Sequence, residues 1–175
     1  MSKQLSPFSR EELMPKPEML EIKKHKDELY IGIPKETHFD EKRICLTPNA
    51  VAALTSNGHR IVVESGAGDG TNYTDQEYSE AGAKISYNAN DVFACNIILK
   101  IEPPSLDEVK MINPQSVLIS AMQIKTQKKE YFKALAEKRI TAIAFDYIQD
   151  SHGIYPLVKS LSEIAGIASV LIAAE

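Results

Sequence analysis

The chain has 175 residues, of which 43% are hydrophobic and 25% are charged, as in an ordinary globular protein of one domain. Its formal net charge of −4 argues against binding to nucleic acid or to an anionic membrane surface. We find no apolar run long enough to span a bilayer and no signal peptide, and Cys45 and Cys95 lie in apolar contexts typical of buried free thiols. We therefore expect a cytoplasmic protein.

The first segment, residues 1–28, combines charged residues with proline. Pro15 and Pro17 interrupt any long helix, because proline lacks the backbone donor that a helix interior needs. We predict an N-terminal extension that packs on the domain or on a partner subunit. Its sequence indicates no function of its own.

From Leu29 onward, short β-branched apolar runs alternate with stretches of helical pattern. The predicted strands are 29–33, 60–64, 97–100, 116–120 and 140–145. The predicted helices are 48–57, 75–81, 89–94, 106–111 and 127–138. Strands separated by helices indicate βαβ units, so we predict an α/β fold with a mainly parallel sheet flanked by helices.

A last helix is predicted to begin near Pro156 and to run to the end of the sequence. Residues 162–174 are small and apolar around most of its circumference, which is typical of a helix buried between layers or domains. No glycine cap or proline follows it, whereas chain termini are usually exposed and frayed. We therefore expect the 175 residues to be one part of a longer protein.

A glycine-rich loop beginning at Gly66 follows the second predicted strand and invites comparison with a dinucleotide-binding loop. Such a loop reads G-x-G-x-x-G and opens directly into a helix whose N-terminus faces the pyrophosphate. Here Thr71 stands where the third glycine is required, and the next helix is predicted to start only at Asp75. We predict a tight strand-to-helix connection and no NAD site in this loop.

Eight short stretches occur in the order and spacing of one known family. They are Ile31–Thr37, Lys42–Pro48, Asn57–His59, Glu64–Gly68, Ala81–Ala83, Ile98–Lys100, Pro103–Pro104 and Gly153–Gly166. Together they resemble the alanine dehydrogenases and the alpha subunit of NAD(P) transhydrogenase, over about residues 29–175. Saccharopine dehydrogenases are similar more distantly.

The resemblance implies one half of a two-domain dehydrogenase. In that family an N-terminal Rossmann-like domain supplies groups for the amino or 2-oxo acid, and a second such domain binds NAD. Residues 29–155 would be the substrate domain and 156–175 the start of the helix that connects the domains, so the NAD-binding domain would be absent from this chain. Members commonly form homo-oligomers through the connecting helices, which implies an oligomer here.

The resemblance also assigns roles to two cations. Arg43 matches the arginine that binds the substrate carboxylate, a task suited to the guanidinium fork because it forms two parallel hydrogen bonds. Without the resemblance, Arg43 would be a surface residue paired with Glu36 or Asp40. Lys100 ends an apolar strand and is a candidate to bind the substrate and polarise its carbonyl, the alternative being a lysine that reaches into solvent.

Two positions depart from the family pattern. Glu102 stands where the family has the second lysine of "K-V-K-E-P", and Gln123 stands where it has a histidine after the following strand. A glutamine side chain binds oxygen atoms by hydrogen bonds but does not transfer protons at neutral pH. We therefore consider Lys100, Glu102 and Gln123 together as the candidate catalytic groups, with Glu102 as the base. His38 and His152 are loop residues that could border the same cleft.

Three functions remain open at this point. The first is oxidation of L-alanine by NAD and water to pyruvate, ammonia and NADH, carried out only by a longer chain. The second is a transhydrogenase-like NAD(H) module, although Asp150–Lys159 lacks the arginine- and glutamine-containing loop of those subunits. The third is a non-catalytic regulatory paralogue that binds a 2-oxo acid, motivated by Glu102 and Gln123.

Overall fold

The computed structural model describes residues 28–174, so the predicted extension at 1–28 lies almost entirely outside the described residues. Six parallel strands form one sheet in the order β3-β2-β1-β4-β5-β6. The strands are β1 Tyr30–Ile33, β2 Arg60–Glu64, β3 Lys84–Ser86, β4 Ile97–Leu99, β5 Val117–Ser120 and β6 Thr141–Ala144. This arrangement confirms the predicted α/β fold, to which it adds one unpredicted strand, β3.

Helices connect the strands and flank the sheet, as predicted. They are α1 Pro48–Ser56, α2 Asp75–Glu80, α3 Ala89–Phe93, α4 Leu106–Met111, α5 Lys129–Glu137 and α6 Pro156–Ala173. Two short 3-10 helices, Asp69–Thr71 and Phe145–Tyr147, follow β2 and β6. The predicted boundaries of these elements hold to within two residues, and Thr47 caps α1 by accepting a hydrogen bond from the Ala50 amide.

Two apolar clusters fill the two faces of the sheet. One face packs against α3, α4 and α5 through a cluster that includes Ile98, Val109 and Leu118. The other packs against α1 and α2 through a cluster that includes Val51 and Tyr78. Both cysteines are free thiols, as predicted, but the predicted burial is confirmed for Cys95 alone, because Cys45 is only partly buried.

Helix α6 differs from the others because none of its residues is buried. Ile164, Ile167, Val170 and Ile172 are each about two-thirds exposed or more. By length and composition α6 is also able to cross a membrane, so the expectation that the sequence holds no apolar run of that length is wrong. Core helices of proteins that never enter a membrane can be as long and as apolar as α6.

Candidate functional site

The candidate site lies at the carboxyl ends of the parallel strands, around β1 and β4. These two strands are neighbours in the sheet but their connections leave in opposite directions, to β2 and to β5. Such a switch point opens a crevice between the two loops, where ligands of open α/β sheets bind. The β1–α1 loop carries Arg43, and the β4–α4 loop carries Lys100 and Glu102.

The loop that carries Arg43 is tied to the body of the protein at several points. The Lys35 amide donates to the Glu64 carboxylate at 2.8 Å, and the buried Tyr78 hydroxyl donates to the Leu46 carbonyl at 2.8 Å. Burial raises the pKa of Tyr78 to about 12, so this hydroxyl stays a donor at any physiological pH. Arg43 therefore projects from an anchored loop.

The Arg43 guanidinium is held by Glu41, a partner other than the predicted Glu36 or Asp40. Its Nε donates to Glu41 at 2.8 Å and one terminal nitrogen donates at 2.5 Å, while the Arg43 amide donates to the same carboxylate at 2.8 Å. The Glu41 side chain is only 6% exposed. Its hydrogen bonds with Arg43 lower the pKa of Glu41 and raise that of Arg43, so both groups are charged at neutral pH.

One edge of Arg43 remains available for a ligand. A guanidinium carries five N–H donors, and the pair with Glu41 uses the edge formed by Nε and one terminal nitrogen. The outer edge, formed by both terminal nitrogens, has no partner within residues 28–174, and the side chain is 49% exposed. That edge has the geometry to bind a carboxylate through two parallel hydrogen bonds.

Lys100 is buried instead of reaching into solvent. Its side chain is 1% exposed, and the ammonium donates to Glu36 at 2.7 Å. A second carboxylate, from Glu108, lies 3.8 Å away. This ion pair connects the loop after β1 with the end of β4, because its partners are 64 residues apart in sequence.

Glu36 organises the start of the β4–α4 loop. One of its oxygens accepts a hydrogen bond from the Ile101 amide at 2.6 Å, and the other accepts from Lys100 and, at 3.4 Å, from the Glu102 amide. Glu108 completes the loop by accepting from the Ser105 amide at 2.6 Å in a capping box. The backbone that carries Glu102 is thereby fixed by groups that sequence reasoning did not identify.

Glu102 and Gln123, the two departures from the family pattern, contact each other. The Gln123 side-chain amide donates to one Glu102 oxygen at 2.6 Å. Gln123 follows β5 with a positive φ of 45°, a conformation that costs energy for a residue other than glycine. The sequence places these residues at the ends of neighbouring strands, but it gives no indication of this pair.

Two adjoining cavities hold the predicted site residues. A cavity of 550 Å³ is lined by Arg43, Glu102, Gln123 and Asp146. A second, of 490 Å³, is lined by Lys100, Glu102, Gln123 and His38. Glu102 and Gln123 therefore stand between the arginine and the lysine, while His152 lines neither cavity.

The glycine-rich loop after β2 does not fit a dinucleotide. A Cβ atom at Gly70 would lie 2.5 Å from the Lys42 carbonyl, so this glycine makes room for the protein's own β1–α1 loop. A 3-10 helix occupies Asp69–Thr71, and α2 begins only at Asp75, whose carboxylate accepts the hydrogen bond of the Gly66 amide. The amide that a phosphate would need is thus already used.

The sequence matches the family described as "Alanine dehydrogenase/PNT, N-terminal domain" over residues 32–165. The chain is 35% identical over 148 residues to an alanine dehydrogenase of Methanococcus maripaludis, covering 84% of this chain and 39% of the relative. It is 34% identical over 147 residues to that of Bacillus subtilis, covering 84% and 38%. The chain thus spans about two-fifths of the length of these relatives.

Solved structures agree with the sequence match. An L-alanine dehydrogenase superposes with a TM-score of 0.78 at 30% identity, covering 81% of this chain and 39% of that one. A transhydrogenase from Sinorhizobium meliloti superposes with a TM-score of 0.63 at 33% identity, covering 67% and 35%. The motif order, the fold and both comparisons lead to one conclusion: the chain belongs to the alanine dehydrogenase/PNT N-terminal domain family.

Proposed function

We propose that this chain is the substrate-binding part of an alanine-dehydrogenase-type enzyme that interconverts L-alanine and pyruvate with NAD. The observation that carries the proposal is that Arg43 lines a cavity at the switch point of the sheet, while the outer edge of its guanidinium has no partner within residues 28–174. Glu41 holds the guanidinium in place, so little side-chain entropy is lost when a carboxylate binds. Arg43 is the anchor of the substrate carboxylate.

Lys100, Glu102 and Gln123 complete the proposed site. Glu102 is placed to act as the base, since it lines both cavities, and Gln123 orients its carboxylate. Direct contact of Lys100 with a substrate carbonyl stays a prediction, because its ammonium is bound to Glu36. The geometry favours Lys100 as a positioning residue that acts through Glu36 on the Glu102 backbone.

In the proposed reaction NAD accepts the hydride. It is bound mainly by a second domain, which lies outside the matched N-terminal domain. The glycine-rich loop after β2 does not fit its pyrophosphate, and the relatives are more than twice as long as this chain. We therefore expect the purified chain, supplied with alanine and NAD, to produce no NADH. Measurable turnover would contradict this division of labour.

The anchor role of Arg43 is tested by binding of pyruvate and alanine to the 175-residue chain, followed by NMR chemical shifts. We expect Arg43→Ala to weaken binding at least tenfold, since a charged hydrogen-bonded partner is removed. Arg60→Ala is the matched control, because Arg60 lies at the amino end of β2, the opposite edge of the sheet. Unchanged binding by Arg43→Ala would overturn the assignment.

A second function, a regulatory paralogue that binds the acid without oxidising it, is favoured by one observation. Gln123 stands at the position of the family's histidine and transfers no proton. To distinguish the two functions, acid binding and NADH formation are measured on this chain as part of its full-length protein. Saturable binding of the acid without NADH formation at any pH would support the paralogue, and turnover would support the dehydrogenase.

The exposed apolar face of α6 supports assembly with protein, either a further domain or other subunits of a cytoplasmic homo-oligomer. Sedimentation of the purified chain tests this part of the proposal. We expect association that weakens when Ile167 is replaced by Lys, a substitution on the exposed face. A strictly monomeric chain would contradict the assembly of subunits through α6.

A further inference from the structure

Glu102 lines both cavities and is incompletely satisfied by protein partners. One of its oxygens accepts from Gln123 at 2.6 Å, and the other has no hydrogen-bond partner within residues 28–174. By contrast, Glu36 accepts three hydrogen bonds, Glu41 holds Arg43, and Glu108 caps α4. Glu102 therefore presents a negative charge and a free acceptor to the cavity.

Within residues 28–174 no lysine forms an ion pair with Glu102. Lys100 is the nearest candidate along the chain, but it is buried with its ammonium between Glu36 and Glu108. The cavity shared with Arg43 also contains a second carboxylate, Asp146, which accepts from the Met122 amide at 3.2 Å. The wall of this cavity thus carries one base and two acids, a distribution that repels a ligand with negative charge alone.

We propose that Glu102 and Gln123 form a subsite for a protonated amine, and that the ligand carries this amine together with a carboxylate bound by Arg43. The ligand class is an amino acid, bound in preference to the corresponding 2-oxo acid. This inference rests on the proposed function, since it assumes the Arg43 anchor. It makes Glu102 a specificity-determining residue.

The local structure suits this task. Glu36 fixes the backbone of Glu102 through the Ile101 and Glu102 amides, so the carboxylate starts from a defined position. The Gln123 amide occupies one carboxylate oxygen and leaves the other for an ammonium, which has only donors to offer. The backbone of Gln123 is held in place, because its backbone carbonyl accepts a hydrogen bond from the Thr126 amide at 2.9 Å.

The test is a set of titrations of the 175-residue chain with matched ligands, followed by NMR chemical shifts. Alanine and pyruvate differ at the α-amine, and lysine and norleucine differ at the side-chain amine. We expect alanine to bind about tenfold more tightly than pyruvate, the ratio typical of one charge-assisted contact. Glu102→Gln keeps the size of the side chain and removes the charge, so it should abolish the preference.

Glu102→Lys should reverse the preference in favour of pyruvate, because the subsite then repels an ammonium. Glu137→Gln, on the exposed face of α5, is the matched control and should leave the ratio unchanged. If lysine binds more tightly than norleucine, and Glu102→Gln removes that difference, the subsite is supported and the amine bound by Glu102 is the one on the ligand's side chain. Equal affinities of those two ligands, with alanine still preferred over pyruvate, would support it and assign the amine to the α-position.

Two outcomes overturn the inference and are distinguishable. If pyruvate binds as tightly as alanine, and both depend on Arg43, the amine subsite is wrong and the proposed function stands. If neither ligand pair responds to Arg43→Ala, the proposed function fails and this inference fails with it. Spectra of Glu102→Gln without ligand confirm that the variant is folded.

Discussion

Two halves of one sheet face are built from similar strands but are covered differently. Over β1, β2 and β3, helices α1 and α2 cover the face, and Ile33, Ile61 and Val63 are at most 2% exposed. Over β5 and β6 the same face carries Ile119, which is partly buried, and Ile143, which is 39% exposed. We call these the covered half and the open half.

The difference shows where the fold depends on more than its local sequence. Strands buried on both faces have near-continuous apolar sequences, and β2 in the covered half and β5 in the open half both meet that description. In the covered half, α1 and α2, which follow β1 and β2, fold back onto this face. In the open half, α4 and α5 pack on the other face, so nothing within residues 28–174 covers Ile143 as α1 and α2 cover Ile61.

The largest expected effect is at the Lys100–Glu36 ion pair, which joins the loops after β1 and β4 where the two halves meet. Lys100→Met leaves the Glu36 carboxylate buried without its cation, which should lower the free energy of unfolding by about 4 kcal/mol in urea denaturation. Lys110→Met is the control, since Lys110 pairs with Asp107 at the surface, and should have a far smaller effect. A similar loss for both variants would mean that burial of the pair is unimportant.

The second prediction compares one residue type in both halves. Ile61→Ala should lower the free energy of unfolding by about 3 kcal/mol, because it leaves a cavity in a packed core. Ile143→Ala, on the same sheet face, should lower it by less than about 1 kcal/mol, as its side chain is already partly exposed. Equal losses would show that the open half is covered in solution.

The third prediction concerns α6, which borders the open half. A Cβ atom at Gly166 would meet no atom within 4 Å. Gly166→Ala should therefore stabilise the helix by about 1 kcal/mol, through backbone entropy alone. The measurement is the exchange rate of the α6 amides, and faster exchange in the variant would indicate a neighbour that needs the glycine.

The smallest expected effect is the pH dependence of the Glu41–Arg43 pair. The folded pKa of Glu41 lies below its unfolded value of 4.5, so the pair stabilises the protein fully above that pH. This contribution is lost as the pH falls through the folded pKa. The difference in unfolding free energy between wild type and Glu41→Gln should therefore shrink between pH 7 and acid, and a difference that grows would contradict the sign.

Most of the fold could be predicted from the sequence because its signals are local. Pro48 and the Thr47 cap mark the start of α1, and apolar runs mark five of the strands. The boundaries predicted from these signals lie within two residues of the observed ones. Strand β3 was missed because Lys84-Ile85-Ser86 is too short to show a period. It forms by pairing with β2, a contact with a distant part of the chain.

The candidate site was predictable in its residues but not in its contacts. Motif order indicated Arg43, Lys100, Glu102 and Gln123, and three of these line one cavity. The partner of Lys100 lies 64 residues earlier in the chain, so its burial cannot be inferred from the strand-end position. The Glu102–Gln123 contact likewise depends on the loops that follow two separate strands.

Because α6 is exposed, its amide exchange and its cleavage by proteases should reveal whether another surface covers it. With none of its residues buried, this 18-residue helix is stabilised mainly by its own backbone hydrogen bonds, and helices of this kind open readily. Its amides should exchange with solvent far faster than those of β1 or β4, and a protease should cut there first. Any domain, subunit or bilayer that covers α6 will slow both reactions, so protection of this one helix measures assembly without a label.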